Sequence, residues 1–276
     1  MKTGRRSGHR SQADLRRNLF PAVFGMLTAL AGPVAQAQDP STDLPPQNRW
    51  TFVVAPYIWL LSLNGDARVK GIDTDIDLPF KDAVKDLSFG AMLFLDARRG
   101  RFGLGFNGVF TRSSVDEEAG PLDLDITTDL ATFGLAPYYR LFEYTYDEGA
   151  SGRPRRVVVE PQIGVRINHL RTEIEVRGRN QFQVSETWAD PVIGARFAID
   201  LLDSLAIAGQ GDVGGFGVGS DLTWNVQAFI AYRTSLWDQP LSLVAGYRAL
   251  SIDYDRKDFK WDVVYHGPIL GAAFRF

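Results

Sequence analysis

The sequence predicts an all-β fold: a transmembrane antiparallel up-and-down β-barrel, most simply of ten strands, with eight or twelve as the neighbouring counts. Three observations predict it. Apolar and polar residues alternate over stretches too long for a sandwich. The links between those stretches alternate between short and long. The chain stops on "GPILGAAFRF", in which Leu270, Ala272, Phe274 and Phe276 fall on one face of an extended strand and Ile269, Gly271, Ala273 and Arg275 on the other, because successive strand side chains point opposite ways.

The first element is a leader. Lys2, Arg5, Arg6, Arg10, Arg16 and Arg17 precede the apolar run "LFPAVFGMLTALAG" and then "AQA" at Ala35 to Ala37. This order reads as a secretory signal peptide over residues 1–37, cleaved after Ala37. The Arg16-Arg17 pair raises a twin-arginine signal, but the "NLF" that follows fits poorly, and paired arginines suit an ordinary basic leader. The apolar run is shorter than the roughly 20 residues a spanning helix needs, and no later segment reaches that length uninterrupted. A short periplasmic lead over 38–48 then introduces one domain, 49–276. With no cysteine in the chain, neither a lipid-anchored cysteine nor a disulfide framework nor a thiolate metal site is expected.

Removing the leader's six basic residues and one acidic residue from the chain's 30 Lys+Arg and 33 Asp+Glu leaves 24 and 32, a net charge of −8. An acidic exported protein is a poor partner for nucleic acid. No cofactor and no metal site is expected.

Ten segments carry the alternation: 50–63, 87–99, 101–115, 122–143, 155–170, 180–202, 204–214, 221–235, 240–254 and 259–276. The fifth is the cleanest. In "RRVVVEPQIGVRINHL" the odd positions are Val157, Val159, Pro161, Ile163, Val165 and Ile167, and the even ones include Glu160, Gln162, Arg166 and Asn168. The sixth repeats the pattern with Ala189, Pro191, Ile193, Ala195, Phe197 and Ile199 against Glu186, Trp188, Asp190 and Arg196. Sandwich strands usually run about 5 or 6 residues, and these run twice as far, whereas a tilted membrane strand needs about 9 to 11.

The second, sixth and eighth links ("RRGR", "LLDS", "TSLWDQP") are tight, and the fourth, "EYTYDEGASGRPRR", is of medium length. The first, third, fifth and ninth are polar, and the first contains "FKDAVKDL", expected to form a turn or two of helix. Short turns on one side and longer loops on the other, with an even strand number, describe a membrane barrel with both ends at the periplasm. Trp50, Tyr57, Trp59, Tyr138, Tyr139, Trp224, Tyr232, Trp237, Tyr247 and Tyr265, near strand ends, are candidates for interfacial girdles. "EPQIGVRIN" and "DPVIGARFA" echo one another, with proline on the apolar face and glycine on the other, a structural motif rather than a repeat.

The ending resembles the C-terminal signal of Gram-negative outer-membrane β-barrel proteins, in which a final aromatic residue and alternating apolar residues are read by the barrel assembly machinery. Leu270, Ala272, Phe274 and Phe276 match that pattern. The stretches "APYIWL", "GDVGGFGVGSDLTWN" and "GYRALSIDYD", together with the ending, resemble a family of uncharacterised proteobacterial outer-membrane barrel proteins over the whole mature domain. The resemblance implies a barrel in the outer membrane, with its lipids and lipopolysaccharide, the assembly machinery and periplasmic chaperones as partners, and no reaction.

By strand parity the lumen receives Asp96, Arg140, Glu160, Arg166, Glu186, Asp190, Arg196, Asp212, Arg233, Arg248 and Arg275. In a narrow interior such charges must pair, so Glu160, Arg166, Glu186, Asp190, Arg196, Asp212 and Arg248 are expected to form a lumen charge network. The function that follows is a structural or narrow-channel barrel with no defined substrate. A surface-loop binder of ligands or cations is the first alternative, and a rim hydrolase acting on lipid the second.

An enzyme is not expected. His169 near the outer rim is the one candidate base, His266 lies on the lipid side without an evident ring partner, and "GVGSDL" lacks the G-x-S-x-G spacing. "GGFGVGSD" has no following Lys-Ser/Thr and reads as a permissive turn rather than a phosphate cradle. "DEEAGPLDLDITTD" carries Asp116, Glu117, Glu118, Asp123, Asp125 and Asp129 without an EF-hand spacing, and reads as a solvated acidic loop.

Overall fold

The computed structural model describes residues 49–69, 72–78, 87–119, 122–176, 179–256 and 259–276. The expected signal peptide, the 38–48 lead and all but the last residue of the "FKDAVKDL" helix lie outside them.

The described residues form thirteen strands: β1 (Trp50–Trp59), β2 (Ser62–Val69), β3 (Ile72–Leu78), β4 (Leu87–Arg99), β5 (Phe102–Ala119), β6 (Leu122–Tyr139), β7 (Phe142–Glu148), β8 (Pro154–Val176), β9 (Arg179–Asp200), β10 (Leu205–Gly215), β11 (Leu222–Leu236), β12 (Gln239–Arg256) and β13 (Phe259–Arg275). Ten of them form the wall in the order β1-β4-β5-β6-β8-β9-β10-β11-β12-β13. Pairing of β13 with β1 closes the ring, so the structure is a closed, ten-stranded antiparallel barrel. Closure gives every wall strand two neighbours, so the wall has no free edge strand.

The extra strands correct the expected links. β2 continues β1: Trp59 opposes Ile269 and Ser62 opposes His266 on the same partner β13, with only Leu60 and Leu61 between. The two are one long strand broken for two residues, and Leu60 N–H still reaches the Pro268 carbonyl at 2.8 Å. β3 folds back on β2, so the polar first link is largely a hairpin arm rather than a loop. The β1–β4 ladder stops at Pro56 opposite Leu93, where proline has no N–H to give. β7 likewise continues β6 along β8 after a slip at Arg140 and Leu141. The third link is also a hairpin, with Asp116 opposite Asp125 and Glu118 opposite Asp123.

Strand lengths place the wall. β8 and β9 run 23 and 22 residues, β8 passing its expected end at 170, and each is about twice what a bilayer crossing requires. On β8 the outward column reads Pro161, Ile163, Val165 and Ile167, then His169, Arg171 and Glu173. The apolar band therefore begins near the rim that holds Trp50 and Phe276, here the near rim, and ends around His169. Ile58, Leu104, Leu135, Ile163, Ile193, Phe197, Val226, Ile230 and Leu270 are exposed within it. Trp50, Phe52, Phe102, Phe142, Tyr232 and Trp237 are exposed around the near rim.

The aromatic expectation needs a correction. Tyr57, Trp59, Tyr138 and Tyr265 point into the lumen instead of forming a girdle. Trp59, Tyr138 and Tyr265 are buried there, and the Tyr57 hydroxyl hydrogen-bonds across it.

The buried apolar cluster fills the far end of the barrel. Leu250, Ile252, Val263 and Tyr265 are almost fully buried, with Trp59, Leu170, Trp188, Tyr254, Phe259 and Trp261 around them. Trp188 stacks on Tyr254 with centroids 4.3 Å apart, and Phe259 lies between Tyr254 and Trp261 at 5.9 and 6.4 Å. Glycines let the wall fold tightly at mid-height. A Cβ at Gly164 would fall 2.8 Å from Ala136 Cα, and one at Gly194 2.6 Å from Asp212 Cβ, so the shared glycine of the two echoed segments is a close-approach requirement.

Candidate functional site in the lumen

The polar interior lies between the far cluster and the near rim, and it has two layers. In the upper layer Arg166 pairs with Asp212 and donates to Thr223 Oγ1 at 2.9 Å. Asn225 donates to the same Asp212 at 2.9 Å and accepts from Arg248 Nε at 2.9 Å. Arg248 continues to Asn107 Oδ1 at 3.0 Å and Tyr57 OH at 3.1 Å, and Asn107 donates to Tyr57 OH at 2.9 Å. Its guanidinium also lies 4.5 Å from the centroid of the Trp59 ring. This chain of contacts runs from β8 through β10, β11 and β12 to β5 and β1, across the whole bore.

The lower layer is built on Arg196. It bonds Asp96 at 2.8 Å, approaches Glu160 at 3.6 Å and stacks 4.1 Å over Tyr138. Tyr138 OH donates to Asp96 at 2.9 Å, and Arg140 donates to Glu160 at 2.9 and 2.7 Å. Buried arginines in such a setting require acceptors for every exposed N–H. Between the layers lies a cavity of about 50 Å³, lined by Gln162, Arg166, Arg196, Gln210 and Asp212 among others, room for a few waters.

Six of the seven expected network residues are buried or half-buried in the lumen with polar partners, but the pairing differs from the expectation. Asp190 faces Arg166 in the register of β8 and β9, yet binds no arginine. It accepts from Ser220 N–H at 2.5 Å, Ser220 Oγ at 2.9 Å and Asn168 at 2.9 Å. Its role is to dock the "GGFGVGSD" turn, which folds inward: Ser220 is fully buried and a Cβ at Gly219 would lie 2.5 Å from Asp190 Oδ1. Glu186 makes no hydrogen bond or ion pair among the described residues. It sits higher, within electrostatic range of Tyr254.

Sequence parity found the charges but missed Tyr57, Asn107, Asn225 and Ser220. Neutral hydrogen-bonding residues carry no charge signal, and which of them meet depends on register between strands far apart in the chain.

The two histidines among the described residues lie outside the lumen. His169 Nδ1 meets Thr187 Oγ1 at 2.7 Å across the β8–β9 ladder. His266 has a partner after all, since it stacks on Tyr247 with centroids 6.2 Å apart, accepts its hydroxyl proton at Nδ1 over 2.7 Å and donates from Nε2 to Asn64 over 2.8 Å. On the far extension, Asp253 opposes Asp262 and Asp262 opposes Asp66 on adjacent strands. Desolvation and then the neighbouring Asp262 and Asp221 push the Asp253 carboxyl above its usual range. No metal-binding group of three or more ligands occurs among the described residues, and the side chains of the 113–126 acidic segment lie outside them.

No family model and no curated protein matches the chain. Among solved structures it is similar to Ail, the attachment invasion locus protein of Yersinia pestis, at 12% identity over 83% of this chain and 99% of that one, with a TM-score of 0.36. Neisserial surface protein A matches at 14% identity over 82% and 97%, TM-score 0.34. A Pseudomonas aeruginosa FadL homologue matches at 8% identity over 82% and 89%, TM-score 0.24.

Proposed function

We propose that this chain is an integral outer-membrane barrel of a Gram-negative bacterium, exported by a cleaved signal peptide, with its near rim toward the periplasm and its lumen closed by its own side chains. Its role is structural, or that of a narrow channel shut at mid-height. The observation that carries this reading is the hydrogen-bonded chain from Arg166 to Tyr57 across the bore, backed by the far aromatic cluster. A charged group in such a layer has no water-filled way past it. The exposed apolar band with aromatics at its lower edge supports a lipid environment.

Purified protein in planar bilayers is therefore expected to show small conductance or none. A large, stable conductance would overturn the closed-lumen reading while leaving the barrel intact. Heat-modifiable migration on SDS gels and recovery in the outer-membrane fraction test the location.

The same reading makes the barrel assembly machinery, periplasmic chaperones, and the lipids and lipopolysaccharide of the outer membrane its partners. Phe276 is exposed on the outer face and exchanges 3.0 and 2.9 Å backbone hydrogen bonds with Phe52, whereas Arg275 faces inward. Phe276→Asp should lower the assembled fraction several-fold more than Arg275→Asp. Equal losses would remove the assembly-signal argument.

A further inference from the structure

Below the Arg196 layer the lumen opens into a chamber of about 330 Å³ that reaches the near rim. Its wall is apolar: Val53, Ala55, Val158, Ala208, Phe229 and Val244 face into it. Its mouth is cationic. Arg98 opposes Thr51 and Arg275 opposes Val53, so the two guanidinium groups enter the lumen on either side of β1. Arg153, Arg156 and Arg233 lie within electrostatic range of Arg275, Arg156 and Arg233 being paired with Glu143 and Asp200, while Asp96 and Glu160 lie deeper in the lining within range of Arg98.

What separates Arg98 and Arg275 from the other lumen arginines is the lack of an acceptor. Arg140, Arg166, Arg196 and Arg233 each pair with a carboxylate, and Arg248 bonds Asn225, Asn107 and Tyr57. Among the described residues neither Arg98 nor Arg275 makes a hydrogen bond or an ion pair. Like charges gathered at a low-dielectric opening raise a positive potential that draws in anions. Planar guanidinium groups favour carboxylate or phosphate oxygens. An apolar chamber with a few polar groups at one end is the form of a small-molecule site.

We propose that this chamber binds a single-chain amphiphilic anion, its carboxylate or phosphate head between Arg98 and Arg275 and its hydrocarbon chain along β1, β10 and β11. The entry side rests on the orientation proposed above; the binding itself does not. An inorganic anion would leave the apolar wall uncovered, and a neutral chain would leave the two arginines without acceptors. The amphiphile satisfies both.

The test is equilibrium dialysis of radiolabelled decanoate against the intact barrel in phosphatidylcholine nanodiscs, with empty nanodiscs subtracting membrane uptake. Decanol and inorganic phosphate serve as comparators. Decanoate should bind saturably, and decanol and phosphate at least about tenfold more weakly, since one charge-assisted contact is worth about a factor of ten or more. Arg98→Gln with Arg275→Gln should weaken decanoate about tenfold, and Ala208→Phe should weaken it by obstructing the chain while leaving both arginines. Heat-modifiable migration confirms that each variant is folded.

Decanol equal to decanoate would overturn the role of the arginines. Phosphate equal to decanoate would make the mouth a simple anion site and overturn the role of the chamber. No saturable decanoate binding in the unmutated protein overturns the proposal outright. These comparisons need no variant, and they are independent of conductance, so a failed ligand site and a failed closed-barrel reading are told apart.

Discussion

The two halves of the lumen are enclosed by the same ten strands and are finished in opposite ways. Toward the far rim the inward positions are large: Trp59, Trp188, Leu250, Ile252, Tyr254, Trp261 and Tyr265, packed until little space is left. Toward the near rim many of them are small, with Ala55, Ala198, Ala208, Ala231, Gly271 and Ala273 among larger ones such as Phe229, and a chamber remains. A barrel's bore is set largely by strand number and stagger, so whether it is core or cavity is decided by side-chain volume alone. The difference teaches that closure here is a property of one half, with the charged layers marking the boundary.

That contrast can be broken most severely by removing volume from the packed half. Tyr265→Ala should destabilise by about 3–5 kcal/mol, as for other buried aromatics cut to alanine. Ala208→Leu, which adds volume to the open half, should stay within about 1 kcal/mol. Urea unfolding of both variants in the same lipid measures the gap, and similar losses would mean that the near chamber is as tightly packed as the far cluster.

A comparable cost is expected at the boundary. Arg166→Met leaves Asp212 buried without its cation and should destabilise by about 3–5 kcal/mol, whereas Arg166→Met combined with Asp212→Leu should recover most of it. If the single change costs no more than the double one, the layer is not held by that pair. Bilayer recordings of the single variant should also show a conductance larger than that of the unmutated protein.

The smallest effect sharpens the comparison outside the lumen. Asp253 has a folded pKa raised above its unfolded value, so its ionised form opposes folding at neutral pH. That penalty disappears as pH falls through the folded pKa and below. Asp253→Asn should therefore raise the melting temperature slightly at pH 7, on the order of a few tenths of a kcal/mol after solvent screening. The advantage should shrink as pH falls through the folded pKa and vanish below the unfolded value of 3.8. An advantage that persists there would point to packing instead of charge.

The wall was legible in the sequence because it stands between two environments. Where a strand has lipid on one side and a polar bore on the other, as in 155–167, the period of two is plain. β2, β3 and β7 escaped because each is only seven or eight residues long, too short for a period of two to stand out. "SLNGDARV" and "FEYTYDE" do alternate, with Leu63, Ala67 and Val69 on one side of the first and Phe142, Tyr144 and Tyr146 on one side of the second, but only over a few residues, and β7 is exposed along its whole length. The break at Leu60 and Leu61 is hidden for a different reason, since two leucines continue the apolar pattern. In the lumen, charge and parity point to Arg166, Asp212 and Arg196. The partner of each was set by shear between strands, as in the Asp96–Arg196 contact across 100 residues, and that is not written in any local window.

The seam where β13 meets β1 and β2 has a consequence for the order of events in folding. The first wall strand must wait for the last, and the bond from Arg248 to Tyr57 links positions 191 residues apart. Such a fold has a high contact order, and its ring stays open until β13 is delivered. Until then the chain carries two unpaired strand edges and the apolar column of every strand in between. On the outer-membrane location proposed above, such a chain crosses the periplasm with its ring still open, and its final strand acts as the latch.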